Sequence, residues 1–191
     1  MPRSIFVFIL LVAPAISAAQ NSGHDYSYLQ GSYSKINSDG ALDEGDGIGL
    51  SLSYGLTPHV HIFGSYLGID TTSSADADGW KAGIGLNTPL SRQLDVVVRL
   101  SYQTTERSVP GPGGGTYDDN GLGFAAGARF ALTQRMELYG GLTYLDLDSG
   151  NETMLDAGLL FSISRAFALG VSTSWDEDVS AWSLDGRLYF D

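Results

Sequence analysis

The sequence predicts an all-β fold, a closed antiparallel transmembrane β-barrel of ten strands with up-and-down topology. Three observations support this fold class: apolar side chains recur at every second position, short and long connections alternate along the chain, and an export signal precedes the strands. In the second run, for example, Ile48, Leu50 and Leu52 alternate with glycine and serine. A period of two is typical of a strand whose two faces meet different environments.

The N-terminus has the order of a secretory signal peptide. Arg3 precedes a short apolar run over residues 5–12, and the small residues Ser17, Ala18 and Ala19 follow. This order predicts a signal peptide over residues 1–19, cleaved before Gln20, and a single barrel domain over residues 20–191. A retained anchor helix is the weaker alternative, because such a helix needs roughly 20 apolar residues. The chain contains no cysteine, so disulfides do not hold the exported fold.

The first three predicted strands cover residues 26–36, 46–54 and 60–69. In the first, we expect Leu29, Gly31 and Tyr33 to point outward. Tyr26 and Tyr28 lie close to the mature N-terminus, where we expect them to serve as an aromatic anchor on the periplasmic side. The third run has no preferred face, since either set of alternate residues forms an apolar stripe.

Seven further runs alternate in the same way, which brings the total to ten. An even number returns both termini to one side of the membrane, as in bacterial single-chain barrels. The residues expected on their outward face are, strand by strand, Trp80, Ala82, Ile84 and Leu86; Leu94, Val96, Val98, Leu100 and Tyr102; Leu122, Phe124, Ala126, Ala128, Phe130 and Leu132; Leu138, Gly140, Leu142 and Tyr144; Leu155, Ala157, Leu159, Phe161 and Ile163; Phe167, Leu169, Val171 and Trp175; and Trp182, Leu184, Leu188 and Phe190.

The connections fall into two classes that alternate along the chain. Those at residues 56–59, 88–93, 133–135 and 164–166 are short and predict periplasmic turns. The others are longer and predict extracellular loops at residues 37–45, 71–78, 107–119, 147–151 and 176–180. These loops hold most of the carboxylates, namely Asp39, Asp43, Glu44, Asp46, Asp70, Asp76, Asp78, Asp118, Asp119, Asp176, Glu177 and Asp178.

A soluble β-sandwich is the alternative to a membrane barrel, because its strands also alternate. The exposed face of a sandwich usually carries many Lys, Glu and Thr residues, whereas the less apolar face here is mostly Gly, Ser and Ala. Aromatic residues also gather at strand ends, as a membrane interface favours. They are Trp80, Tyr102, Tyr144, Trp175 and Trp182 toward the loops, and Tyr54, Phe130, Phe161 and Phe167 toward the turns.

Several glycine-aromatic segments resemble a family of small proteobacterial outer-membrane barrels. They lie at residues 26–33, 61–66, 79–85 and 138–144. Many members of that family carry the label of a sulfation-dependent quorum factor or immune activator, and they are similar to OmpA-like and porin-like barrel domains. The resemblance implies a fold and an outer-membrane location but no activity. Such barrels end on an aromatic residue that the barrel-assembly machinery reads, and here Phe190 is displaced one residue from the end by Asp191.

Eight charged residues lie on the face that the alternation assigns to the barrel interior. Charges in a narrow interior must pair or stay hydrated. We expect a salt-bridge network that narrows the lumen, with Arg129 opposite Glu137 across a turn and Lys81 near Arg99 beside a shared carboxylate. A selectivity filter for small solutes is the alternative. The expected network comprises Lys81, Asp95, Arg99, Arg129, Glu137, Asp156, Asp185 and Arg187.

Other chemistry has weaker support in the sequence. The formal net charge of -12 argues against nucleic acid as a partner, since phosphates would be repelled. The acidic loops lack the spacing of a dedicated calcium loop, although divalent cations could bridge them to lipopolysaccharide. A hydrolase would have to use His24, His59 or His61, and the last two are expected as interfacial or turn residues near the periplasm.

The sequence therefore favours a non-enzymatic outer-membrane barrel without a cofactor, serving envelope structure or surface interaction. A narrow channel for small polar solutes is the second interpretation, and an outer-membrane hydrolase is the third. The expected partners are outer-membrane lipid, lipopolysaccharide, the barrel-assembly machinery and divalent cations at the loops.

Overall fold

Ten antiparallel strands form one closed sheet in the computed structural model, which describes residues 24–38, 44–71, 76–109, 114–177 and 179–190. The proposed signal peptide lies outside these residues. The strands are β1 Tyr28–Ser38, β2 Gly45–Thr57, β3 Val60–Thr71, β4 Asp76–Pro89, β5 Leu94–Val109, β6 Gly115–Ala131, β7 Met136–Leu147, β8 Gly150–Ser162, β9 Phe167–Trp175 and β10 Val179–Tyr189.

The sheet closes because β1 pairs with both β2 and β10. The register between the first and last strands runs from Tyr28 opposite Tyr189 to Ser38 opposite Val179, so the pairing extends along the whole of β1. Closure leaves no strand edge whose backbone groups would lack partners in hydrocarbon. The predicted ten-stranded up-and-down barrel is confirmed. Within the described residues, no helix has the length and apolar character needed to cross a membrane.

The two faces of the sheet differ as the alternation predicted. The outward face is apolar and exposed, as at Ile48 (71%) and Leu184 (53%). The sequence left the faces of β3 open, and here Ile62 and Tyr66 are exposed whereas His61 is fully buried. Ile62 also lies opposite outward-facing residues on both neighbouring strands, Tyr54 and Ile84. The apolar band thus continues across β3 without a gap.

The strands extend further toward the loop side than the sequence suggested. The expected loop at residues 107–119 is mostly strand, because β5 and β6 remain paired up to Val109 opposite Gly115. Backbone pairing needs no apolar side chains, so the ladder continues past the hydrophobic band that marked the predicted strand ends. Six carboxylates expected in loops consequently lie in strands: Asp46, Asp70, Asp76, Asp78, Asp118 and Asp119. Asp39, Asp43 and Asp178 lie outside the described residues.

Polar and aromatic residues mark the outer edge of the apolar band. On the outward face of β1 and β2, Lys35 Nζ lies 2.7 Å from Asp46 Oδ1, and the Tyr33 hydroxyl donates to the same oxygen at 3.0 Å. Trp80 and Tyr102 lie side by side on β4 and β5, with ring centroids 6.1 Å apart. Amphipathic rings followed by charges are what a membrane interface favours. The aromatic rings and the Lys35–Asp46 ion pair thus lie toward the end of the barrel that carries the longer connections, and the short turns lie at the opposite end.

Candidate functional site in the barrel interior

The segment before β1 enters the turn-side end of the barrel. His24 and Tyr26 are both about 7% exposed, although neither belongs to a strand. The first strand begins at Tyr28, two residues later than predicted, and the ring of Tyr28 is also buried. The interpretation of Tyr26 and Tyr28 as a periplasmic membrane anchor is therefore wrong. We call residues 24–27 the plug segment.

An ion pair between the buried Arg129 and the half-buried Glu137 holds the plug segment in place. Arg129 donates from Nε to Glu137 Oε1 at 2.7 Å and from Nη2 to Oε2 at 3.0 Å, which makes the pair bidentate. His24 Nδ1 lies 2.8 Å from the same carboxylate, and Arg129 Nη1 donates to the carbonyl of Asp25 at 2.8 Å. Arg129 and Glu137 are not directly opposite, since Arg129 faces Tyr139 in the register, but their side chains reach each other diagonally.

Tyr26 fills the lumen beside this pair. Its hydroxyl donates to Asp95 Oδ2 at 3.1 Å, and its carbonyl accepts a hydrogen bond from Ser53 Oγ at 2.7 Å. The guanidinium carbon of Arg129 lies over the Tyr26 ring, 4.6 Å from its centroid. The His61 ring stacks on the Tyr26 ring with a centroid separation of 4.8 Å. Cation-π contacts and stacking suit a ring that also hydrogen-bonds through its hydroxyl.

His61 is a buried lumen residue, and its expected position at the interface or in a turn is wrong. Its Nδ1 lies 3.4 Å from Asn87 Oδ1, and Arg99 Nε donates to its Nε2 at 3.3 Å. The neutral ring with its proton on Nδ1 satisfies both contacts. Gly85 provides the room, since a Cβ at that position would lie 2.1 Å from His61 Nε2. The position of the ring thus depends on the absence of a side chain on β4.

A second polar cluster lies on the β1 and β10 side of the lumen. Arg187 Nε donates to Gln30 Oε1 at 2.8 Å, and Gln30 Nε2 donates to Asp185 Oδ1 at 3.1 Å. Ser172 Oγ donates to the other oxygen of Asp185 at 2.8 Å. The Arg187 guanidinium also lies 4.2 Å above the Tyr28 ring. Gln30 therefore bridges Arg187 and Asp185, which do not form a direct ion pair.

Above the plug segment the lumen holds a cavity of about 380 Å³. Lys81, Arg99 and Asp156 line it, and Arg129 and Arg187 reach its lower wall. Within the described part of the chain, neither Lys81 nor Arg99 has a carboxylate at ion-pair distance. Asp156 acts on both electrostatically from further away. We call this space the cationic chamber. The described residues contain no group of His, Asp and Glu side chains suited to a metal ion.

The structure divides the eight expected interior charges among three places. Arg129, Glu137 and Asp95 contact the plug segment, Asp185 and Arg187 contact Gln30, and Lys81, Arg99 and Asp156 line the chamber. The sequence analysis did not place Tyr26 or His61 in the interior, and it gave Gln30 and Tyr139, which the alternation puts on the inward face, no role there. A signal existed for Tyr26, because an outward Leu29 and Gly31 place the even-numbered residues of the predicted strand over residues 26–36 inside.

Comparison with known proteins agrees with the fold. Residues 6–188 match a family described as the outer membrane protein beta-barrel domain. A search of curated proteins finds no match. Among solved structures, the chain is similar to the KdgM porin (TM-score 0.50, 8% identity, covering 85% of this chain and 99% of that one). It is also similar to Ail, the attachment invasion locus protein of Yersinia pestis, with a TM-score of 0.45 and 17% identity over 85% of this chain and 95% of that one. The N-terminal barrel of Pseudomonas aeruginosa OprF is similar with a TM-score of 0.46 and 12% identity over 86% of this chain and 100% of that one. At these identities the likenesses concern the fold alone.

Replacing Arg129 with Met should destabilise the barrel by about 3 kcal/mol, because Glu137 would remain buried without its bidentate partner. The double variant Arg129→Met, Glu137→Leu should be more stable than the Arg129→Met variant, since it leaves no orphaned charge. Urea unfolding of the protein in lipid vesicles measures both. The single variant Glu137→Leu completes the cycle, and a double variant whose loss of stability equals the sum of the two single losses would contradict the importance of the pair.

Proposed function

Because the chain belongs to the outer membrane protein beta-barrel domain family, we propose that it is a non-enzymatic barrel that serves envelope structure or surface interaction. Family membership places it in the bacterial outer membrane. The cleaved signal peptide over residues 1–19 is part of the proposal, as is insertion by the barrel-assembly machinery through the displaced aromatic Phe190.

One observation carries the proposal: the turn-side end of the lumen is filled by the plug segment. Arg129 and Glu137 link this segment to β6 and β7, Asp95 links it to β5, and Ser53 links it to β2. Such a filled interior is the usual state of small barrels, whereas water-filled pores belong to those with many more strands. A filled end favours a protein that acts through its outer surface over one that passes solutes.

Two of the three histidines, His59 and His61, support a non-enzymatic assignment. His61 contacts Asn87, Arg99 and Tyr26, and His59 Nδ1 lies near the carbonyl of Asn87 at 3.2 Å. A nucleophilic serine needs a base within hydrogen-bond reach. The ring nitrogens of His61 and this nitrogen of His59 are instead engaged with amide and guanidinium groups.

The outer face above the aromatic belt supports a partnership with lipopolysaccharide through divalent cations. Asp78 lies opposite Glu106, which lies opposite Asp118, so three carboxylates are neighbours across β4, β5 and β6. All three are exposed and share the face of Trp80 and Tyr102. Like charges directly opposite each other are destabilising. Magnesium ions shared with lipid phosphates would relieve the repulsion.

A narrow channel for small polar solutes is the second candidate function. The cationic chamber favours it, because Lys81 points inward and is exposed to a space of about 380 Å³ rather than packed against the wall. Conduction would require the plug segment to leave its site. The two candidates therefore differ in whether this segment moves under native conditions.

Planar-bilayer recordings separate the two functions. The mature protein should show no conductance steps above background, whereas a variant with His24→Gly and Tyr26→Gly should conduct, because the lumen loses the side chains that fill its lower end. Steady conductance by the unmodified protein would instead establish the channel. Heat-dependent migration in detergent gels confirms that both proteins are folded.

Magnesium should raise the thermal stability of the barrel more in vesicles containing lipopolysaccharide than in zwitterionic vesicles. The variant Asp78→Asn, Glu106→Gln, Asp118→Asn should lose most of that increment, since it lacks the charges that the ion would bridge. Replacement of Asp25, an exposed carboxylate at the opposite end, with Asn is the matched control. Equal increments in the triple variant and the unmodified protein would remove the cation-bridging proposal.

A further inference from the structure

The cationic chamber has an excess of positive charge in a protein whose formal net charge is -12. Four cationic side chains reach its wall, and Asp156 is the single carboxylate among its lining residues in the described part of the chain. Arg129 is neutralised by Glu137, and Arg187 is held by Gln30 and an aromatic ring. Lys81 and Arg99 are left with only the distant Asp156.

The carboxylates that balance the interior charge do not face the chamber. Asp95 is fully buried beneath it, where it accepts a hydrogen bond from the Tyr26 hydroxyl, and Glu137 lies beside the plug segment. Asp185 is about 4% exposed and is occupied by Gln30 and Ser172. Apart from Asp156, the carboxylates of the expected network therefore lie within the wall and floor, whereas Lys81 and Arg99 lie at the chamber surface without a carboxylate at ion-pair distance.

Lys81 is exposed to the chamber and Arg99 is half-buried in its wall, so both cations are open to a dissolved anion. Lys81 on β4 lies opposite Gln103, and Arg99 lies four residues from Gln103 on β5, so the two cations line neighbouring levels of the same wall, and Asp156 also lines the chamber. Arg99 is additionally fixed by His61 through Nε and by the Phe63 ring, 5.2 Å from its guanidinium carbon. Its orientation is thus preorganised rather than dependent on a ligand.

Neutral groups in the chamber wall complete a site for a polyatomic anion. Gln103 lies opposite Lys81 on β5, and Ser65 lies opposite Lys81 on β3. Thr143 and Ser174 line the facing wall. Amide and hydroxyl donors beside a fixed guanidinium and an ammonium are the groups that bind carboxylate or phosphate oxygens.

We propose that the cationic chamber binds a small multivalent oxyanion, one carrying carboxylate or phosphate groups, that enters from the loop side and rests between Lys81 and Arg99 above the plug segment. The chamber volume of about 380 Å³ admits a compact organic anion and excludes a polymer folded on itself. Such a site adds a function to envelope structure or surface interaction, because the barrel would bind a ligand from solution. It does not require conduction.

Isothermal titration calorimetry with citrate and with inorganic pyrophosphate tests the proposal on the full mature protein in zwitterionic detergent. The two probes distinguish carboxylate from phosphate preference. The variant Lys81→Gln, Arg99→Gln should weaken binding of the preferred probe at least tenfold. The variant Asp156→Asn should tighten it several-fold, since it removes the opposing charge. Lys35→Gln, which removes a cation on the outer face, should leave it unchanged.

The gain in affinity with Asp156→Asn keeps the test decisive if the double variant does not fold, because misfolding does not strengthen binding. Absence of heat with both probes would overturn the proposal. It would also fail if Lys35→Gln weakened binding as much as the chamber variant, since the effect would then reflect overall charge. A negative calorimetry result does not change the conductance measurement, so the binding site and the proposed function are tested independently.

Discussion

The fold depends on one constraint, which is that hydrocarbon offers no hydrogen-bond partner to a peptide group. Every strand must therefore pair on both sides, and β1 must find β10. The same constraint explains the composition of the two faces. Large apolar residues such as Ile48 and Leu184 cover the outside, where a soluble protein would place polar groups. The inside receives the small and charged residues that lipid would reject.

Closure creates a second requirement, because a narrow lumen has to be filled or hydrated. The barrel meets it differently along its length. At the turn end, residues 24–27 and the Arg129–Glu137 pair fill the space, and Arg129 and Glu137 neutralise each other. Closer to the loop end, Lys81 is exposed to the cationic chamber. The transition between the two lies at His61, which stacks on Tyr26 below and accepts a hydrogen bond from Arg99.

The sequence predicted what depends on alternation and missed what depends on distant contacts. The outward faces of strands such as β5 and β10 follow from a period of two, and that signal places all eight interior charges on inward positions. The strand ends beyond the membrane were missed, because backbone pairing at Val109 and Gly115 leaves no hydrophobic pattern. The plug segment was missed because its partners, Arg129 and Glu137, lie about a hundred residues away along the chain.

The central claim is that the exposed apolar face meets lipid, with the aromatic belt at the outer interface. All three tryptophans of the chain, Trp80, Trp175 and Trp182, lie outward on loop-side strand ends. Their fluorescence in vesicles made with brominated lipids measures this arrangement directly. Bromines placed near the headgroups should quench the emission more strongly than bromines at the bilayer centre. Emission that no brominated lipid quenches, from protein that stays monodisperse without detergent, would contradict the account.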